Sequence, residues 1–200
     1  MMTLLLNVSA TLLFALTALL GRGPGSGNGN GNGSGNGNGG PSGTPCAACQ
    51  VADPAATPLS ATEKESLLYM REEEKLARDV YNAFYDRYGL RVFSNIAASE
   101  QAHMNAVLTL LNRYGLADSA ATTPGVFNNA DLQALYDDLI AQGNQSLTEA
   151  LRAGVLIEET DIADLQDGLA LTSHADLRAV YTNLLRASQN HLRAFSRQLP

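Results

Sequence analysis

The sequence predicts an all-α domain of four long helices, with one long crossover between the second and the third. Three observations carry this. Apolar residues recur at spacings of three and four over four separate stretches after Leu59. Capping boxes, Ser60-Ala-Thr-Glu63 and Ser146-Leu-Thr-Glu149, head two of those stretches, so that each serine can take a backbone N–H while the glutamate reaches back. Nothing in this region shows the period-two alternation of a half-buried strand.

The first helix opens at Ser60 and runs to about Tyr88, where Gly89 ends it. Its inner stripe reads Leu67, Met70, Glu74, Ala77, Tyr81 and Phe84. Ser94 is the expected cap of the second helix, which continues to Tyr114 before Gly115 with Ile96, Glu100, His103, Val107, Leu110 and Tyr114 on one face. The short connection makes these two helices antiparallel neighbours. Gly115 to Gly143 is long enough to cross the length of a bundle, and it holds Thr123-Pro124-Gly125 and a short extra helix around Asp131 to Ala141. The third long helix starts at the Ser146 box with the stripe Leu151, Val155, Glu158, Ile162, Leu165 and Leu169. Ser173 is the expected cap of the fourth, with Asp176 favourably placed in its first turn and Leu177, Tyr181, Leu184, Ser188, His191 and Phe195 facing inward.

The 200 residues divide into three expected parts. Residues 1–20 are apolar and free of side-chain charge, the pattern of a secretory signal or an N-terminal membrane anchor, which predicts an exported protein that is secreted, periplasmic or held at the cell surface. Residues 21–58 form a Gly/Asn/Ser-rich tether with little apolar surface to repay ordering. Within it, Cys46-Ala-Ala-Cys49 can close a small disulfide loop, act as a thiol pair or supply half of a four-cysteine site; no histidine follows, which excludes haem attachment. An incidental linker disulfide is the preferred of these. Residues 59–200 are the helical domain. The charge balance, 20 Asp+Glu against 13 Lys+Arg, is mildly acidic without a basic stripe, which argues against nucleic acid as a partner.

Each of the four stripes carries a polar residue near its middle: Glu74, Glu100 with His103, Glu158, and His191. Carboxylates and imidazoles in the middle of core stripes are costly unless something satisfies them, and a bound cation satisfies several at once. A single such Glu usually reaches solvent, and a single interior His is usually hydrogen-bonded. The coincidence across four helices shifts the balance, because two of only three histidines fall on inner stripes. The third, His174, reads as a surface or cap residue. Glu72 and Glu73 are alternatives to Glu74, read here as a solvated face.

Glu74-x-x-Ala77-Arg78-x-x-Tyr81 resembles the first-helix ligand motif of rubrerythrins, and Ile96-Ala97-x-x-Glu100-x-x-His103 resembles their second. Glu158-Glu159-Thr160-Asp161 is similar to their third helix. The nearer resemblance, covering roughly Leu59 to Leu199, is to an uncharacterised ferritin-like family of archaea and bacteria, a domain of unknown function. It rests on Met70-Arg-Glu-Glu-Glu-Lys-Leu-Ala-Arg-Asp-Val-Tyr81, Glu100-Gln-Ala-His103-Met104, Glu158-Glu-Thr-Asp-Ile162 and Asn190-His191-Leu-Arg-Ala-Phe195 taken together.

The resemblance implies a ferritin-like four-helix bundle with Glu74, Glu100, His103, Glu158 and His191 as metal ligands and Asp161 as a candidate sixth. Ser188 stands where the family pattern has a bridging Glu. One metal, two unequal metals, or recruitment of Asp161 or Glu159 are the alternatives this opens. Carboxylate and imidazole donors without thiolate suit iron, with manganese or zinc as other occupants. The implied function is a non-haem iron oxidoreductase acting on ferrous iron, dioxygen or peroxide. Peroxide-reducing rubrerythrins carry an iron–sulfur domain, and no such motif occurs here, so an external electron donor is implied. The alternative is a non-catalytic exported module with a structural metal or polar core. Membrane attachment through residues 1–20 and a homodimer built on paired helix faces are the remaining partner expectations.

Overall fold

A computed structural model describes residues 57–200. The apolar segment 1–20, most of the 21–58 tether, and Cys46 and Cys49 lie outside the described residues. Those described form five helices and no strand: α1 (Ala61–Tyr88), α2 (Arg91–Arg113), α3 (Ala130–Gly143), α4 (Leu147–Leu171) and α5 (Ala175–Ser196). None is long and apolar enough to cross a membrane.

Local signals explain most boundaries. Ser60 and Glu63 form the full reciprocal box at the head of α1, with Glu63 N–H donating to Ser60 Oγ at 3.2 Å and Ser60 N–H donating to Glu63 Oε2 at 2.8 Å. Gly89 closes α1 at φ 66°, where an L side chain would be strained. Three expected caps are corrected. Leu90, not Ser94, precedes α2 without a side-chain cap, and Ser94 Oγ donates back to Arg91 O inside the helix. His174 rather than Ser173 sits at the N-cap of α5. At α4, Ser146 accepts from Glu149 N–H, but the Glu149 carboxylate goes to Arg152 and Gln142, so only half of that box forms.

Packing follows the stripes. The α1–α2 and α4–α5 hairpins are the most extensive contacts, and α1 meets α4 while α2 meets α5. Two apolar clusters fill the interior. One gathers Tyr81, Phe84, Phe93, Ile96, Ile157 and Phe195; the other gathers Leu67, Met70, Val107, Leu165, Tyr181 and Leu184. Along α1 and α5 the chain passes from the second cluster to the first, and along α2 and α4 it passes the other way. Neighbours in contact are thus antiparallel, and α2 and α4 run parallel, which is why a chain segment as long as residues 114–146 must separate them. The short helix α3 lies on that crossover against α1 and α4. It packs so closely that a Cβ on Gly143 would stand 2.1 Å from Phe84 Cζ.

The crossover also buries the outer face of α1. Residues 70–77 of α1 are all buried, Glu72 and Glu73 among them, so the solvated-face reading of those two is corrected. The Glu72 carboxylate accepts the N–H groups of Asn128 and Asn129 at 3.1 and 3.0 Å, just before α3. Lys75 Nζ, 1% exposed, donates to Asp79, to Thr123 O and to Val126 O. Asp79 in turn accepts from Gly125 N–H and pairs with Arg78, and Arg71 pairs with Asp118. Every one of these charges has a partner on or near the crossover.

Candidate metal centre

The residues between the two apolar clusters form a single polar layer. On α1 it is Glu73 and Glu74, on α2 Glu100 and His103, on α4 Glu158 and Asp161, on α5 Ser188 and His191. Steps of three and four keep each pair on the stripe that also buries the leucines and aromatics on either side. Glu74, Glu100, Glu158 and Asp161 are each at most 5% exposed, and His103 is 7% exposed.

Two groups share Glu100. In one, atoms of Glu74, Glu100 and His103 all lie within 4.8 Å of one another; in the other, Glu100, Glu158 and His191 do the same. His103 Nδ1 is 2.6 Å from Glu100 Oε2 and 3.1 Å from Glu74 Oε2. His191 Nδ1 is 2.9 Å from Glu100 Oε1 and 3.5 Å from Glu158 Oε2. The imidazole rings stack with centroids 5.6 Å apart. Tyr81, fully buried, donates its hydroxyl to Glu158 Oε1 at 2.7 Å and fixes that carboxylate from below.

This layer is short of donors. Glu74 Oε1, Glu100 Oε1, Asp161 Oδ1 and His191 Nδ1 are buried without a hydrogen-bond partner among the described residues. Glu100 Oε1 and His191 Nδ1 approach to 2.9 Å without meeting hydrogen-bonding geometry. Orphaned acceptors of this kind cost stability unless a proton or cation sits among them. Oxygen and nitrogen donors from several elements could hold a divalent ion.

The electrostatics without an ion show the same tension. Burial opposes ionisation of Glu74, and although His103 hydrogen-bonds it, its carboxyl rises to about 8. Burial likewise lifts Glu158 to about 7 against the pull of His191. Glu100 goes the other way: despite burial, the close approach of the His103 and His191 imidazoles brings it to about 2. Burial alone would depress the histidines, but their contacts with Glu100, and with Glu74 or Glu158, raise His103 to about 11 and His191 to about 9. Asp161 is held well above its ordinary range by burial and by the charges of Glu74 and Glu158, despite the opposing influence of the Ser188 hydroxyl.

All six sequence-derived candidates, Glu74, Glu100, His103, Glu158, His191 and Asp161, therefore fall in this one layer. Ser188 is fully buried and its hydroxyl donates to Leu184 O at 3.0 Å, so it occupies the expected glutamate position without supplying a carboxylate. His174 lies away from the centre, near Glu63 and Tyr114 at the far end of the domain. Asp164 was missed, and Glu73, weighed as an alternative to Glu74, was read as solvated although it is buried. The signal for Asp164 was present as the three-residue spacing Glu158, Asp161, Asp164, Asp167; that for Glu73 was hidden by its position beside Glu72 and Glu74.

Comparison with known proteins places the chain by family and fold. The family described as an uncharacterized protein domain, DUF2202, matches residues 63–200. An uncharacterized protein of Methanocaldococcus jannaschii, MJ0754, is 48% identical over 143 residues, which cover 71% of this chain and 77% of that protein. Its crystal structure superposes with a TM-score of 0.70 at 47% identity, covering 72% of this chain and 82% of that one. The structure of a DUF305 fragment from Deinococcus radiodurans is similar in fold alone, with a TM-score of 0.55 at 15% identity over 70% of this chain and 96% of that one. The chain belongs to the DUF2202 family.

Proposed function

We propose that this DUF2202 chain is a ferritin-like four-helix bundle whose polar layer holds one or two iron ions and acts as a non-haem oxidoreductase on ferrous iron, dioxygen or peroxide. The observation that carries the reading is the pair of Glu/His groups sharing Glu100, with buried atoms of Glu74, Glu100 and His191 left without a hydrogen-bond partner. Glu74, Glu100 and His103 would hold one ion; Glu158 and His191 would hold a second, with Glu100 between them and Asp161 as a further donor. Iron in such a site supplies electron transfer to dioxygen or peroxide.

The chain's own residues do the rest. The two apolar clusters keep bulk water from the layer. Tyr81 orients Glu158 through its hydrogen bond. His103 and His191 must shed the protons they hold in the metal-free fold before their Nδ1 atoms can ligate. The apolar character of residues 1–20 and the composition of residues 21–58 support an exported domain on a tether, with an external electron donor for redox turnover.

The test is anaerobic loading of chelator-treated protein with ferrous iron, followed by exposure to dioxygen. Bound iron with an oxygen-dependent absorbance change in the near ultraviolet is the expected result; no bound iron overturns the reading. Ser188 favours one specific second reading, a site that binds metal for structure alone, because the bridging carboxylate is replaced by a hydroxyl turned onto its own helix. Bound iron without any response to dioxygen or peroxide would select it.

A further inference from the structure

Four carboxylates on α4 follow one another at intervals of three: Glu158, Asp161, Asp164 and Asp167. Each step rises about 4.5 Å along the helix. Glu158 and Asp161 are 1% and 5% exposed, Asp164 is half-buried and Asp167 is exposed, so the series runs from the centre to solvent. Glu73 of α1 stands opposite its middle. Glu73 is 6% exposed, it lines the cavity that also holds Glu74, Glu100, Glu158 and Asp161, and it lines the neighbouring apolar gap beneath Leu135 and Leu139 of α3. It is thus the one carboxylate that joins the central cavity to its neighbour.

These groups are not closed by protein partners. Glu73 Oε2, Asp161 Oδ1 and Asp164 Oδ2 are buried atoms without a hydrogen-bond partner among the described residues. Burial raises Glu73 well above the usual carboxylate range, and the charges of Asp164 and Asp161 raise it further. Burial and the charge of Asp167 raise Asp164 as well, although its contact with Glu73 pulls the other way. Contrast Glu72, the residue before it on α1, whose carboxylate accepts two backbone N–H groups. A buried acid beside acids, with no Arg or Lys among them, is the arrangement a passing divalent cation stabilises.

We infer that Asp167, Asp164 and Glu73 form the path by which a divalent cation reaches the centre, with Glu73 and Asp164 as a way-station outside the ligand groups. The inference rests on the centre binding a cation. The rival path passes the imidazoles, since the side chains of His103 and His191 are 9% and 12% exposed between α2 and α5. A third possibility is that one proton shared by Glu73 and Asp164 holds the pair together and no cation passes.

Stopped-flow loading of the chelator-treated full chain with cobalt(II), followed by the ligand-field absorbance of the filled centre, separates these. Glu73→Gln with Asp164→Asn should slow loading by about tenfold or more while the final spectrum matches that of the unaltered chain. Asp164→Asn alone, at a half-buried position that tolerates an amide, should slow it by a smaller factor, and raised salt should slow the unaltered chain but not the double variant. Loading of both variants within about twofold of the unaltered rate overturns the path in favour of the histidine side or the shared proton. Failure of the unaltered chain to take up cobalt overturns both this inference and the metal-centre reading; normal uptake with unchanged variant rates overturns this inference alone.

Discussion

Two polar clusters share the middle of α1, and they are built to opposite rules. On its outer face Arg71, Glu72, Lys75 and Asp79 hold the crossover, and each charge is met by a partner: Lys75 by Asp79 and two carbonyls, Glu72 by two amides, Arg71 by Asp118, with Arg71 Nη1 left without a hydrogen bond among the described residues. On its inner face Glu73 and Glu74 join Glu100, Asp161 and His191 in a layer where buried acceptors go unanswered. The same helix, only residues apart, thus has a closed cluster and an open one. The closed cluster is structural: it ties the long segment between α2 and α4 to the bundle. The open cluster leaves buried atoms unpaired, and in the proposed reading a cation would complete it. Removing a group should therefore have opposite consequences in the two places.

The largest effect falls in the closed cluster. Asp79→Ala strands Lys75, 1% exposed, and should cost about 3–5 kcal/mol of unfolding free energy in denaturant titration. Cation affinity of the folded fraction should stay unchanged. A loss below about 1 kcal/mol would mean that the crossover relaxes to let Lys75 reach water.

Next comes pH at the open cluster. His103 and His191 titrate near 11 and 9 in the metal-free fold, both above their unfolded value, so their ion pairs stabilise that fold at neutral pH and are lost as pH climbs through those values. A cation must displace the same protons. Affinity should therefore weaken as pH falls from 9 to 6, by about tenfold per unit for each displaced proton. Cation addition to weakly buffered protein should release acid. A pH-independent affinity would exclude the histidines as ligands.

Asp161→Asn should stabilise the metal-free protein. Burial raises this carboxyl in the fold, so the ionisable group costs stability increasingly as pH rises above its unfolded value, and an amide does not. The gain should be at least about 1 kcal/mol at pH 8, since a tenfold difference in proton affinity between folded and unfolded chain corresponds to about 1.4 kcal/mol. Thermal melts from pH 4 to 8 check the sign, and the stabilisation added by cation should shrink in the variant. The smallest effect is that of Tyr81→Phe. It removes the hydroxyl that holds Glu158, and should weaken cation binding about tenfold while unfolding free energy changes by about 1 kcal/mol.

The contrast also explains what was legible in the sequence. The inner stripes were readable because helical periodicity is local: each of Glu74, Glu100, His103, Glu158 and His191 could be placed on a buried face from its neighbours at three and four. The Ser60 box and Gly89 were readable for the same reason. The outer face of α1 was not. Arg71, Glu72, Lys75 and Asp79 have the composition of a solvated surface, and their burial depends on a crossover about fifty residues downstream in sequence. Glu73 was lost with them. The start of α2 at Arg91 was missed because the chain turns directly from Gly89 into the next helix, leaving Leu90 at a cap position with no capping side chain.

The central claim is that a cation completes the polar layer, and a calorimetric melt of the chelator-treated full chain, with and without excess manganese(II) or anaerobic ferrous iron, tests it most directly. At a concentration about a hundredfold above the dissociation constant, binding should add about 2.7 kcal/mol and raise Tm by about 5–10 °C. The Glu100→Ala, His103→Ala double variant should show no such rise. Identical melts of the unaltered chain with and without either ion, and no ion retained after gel filtration, would contradict the account.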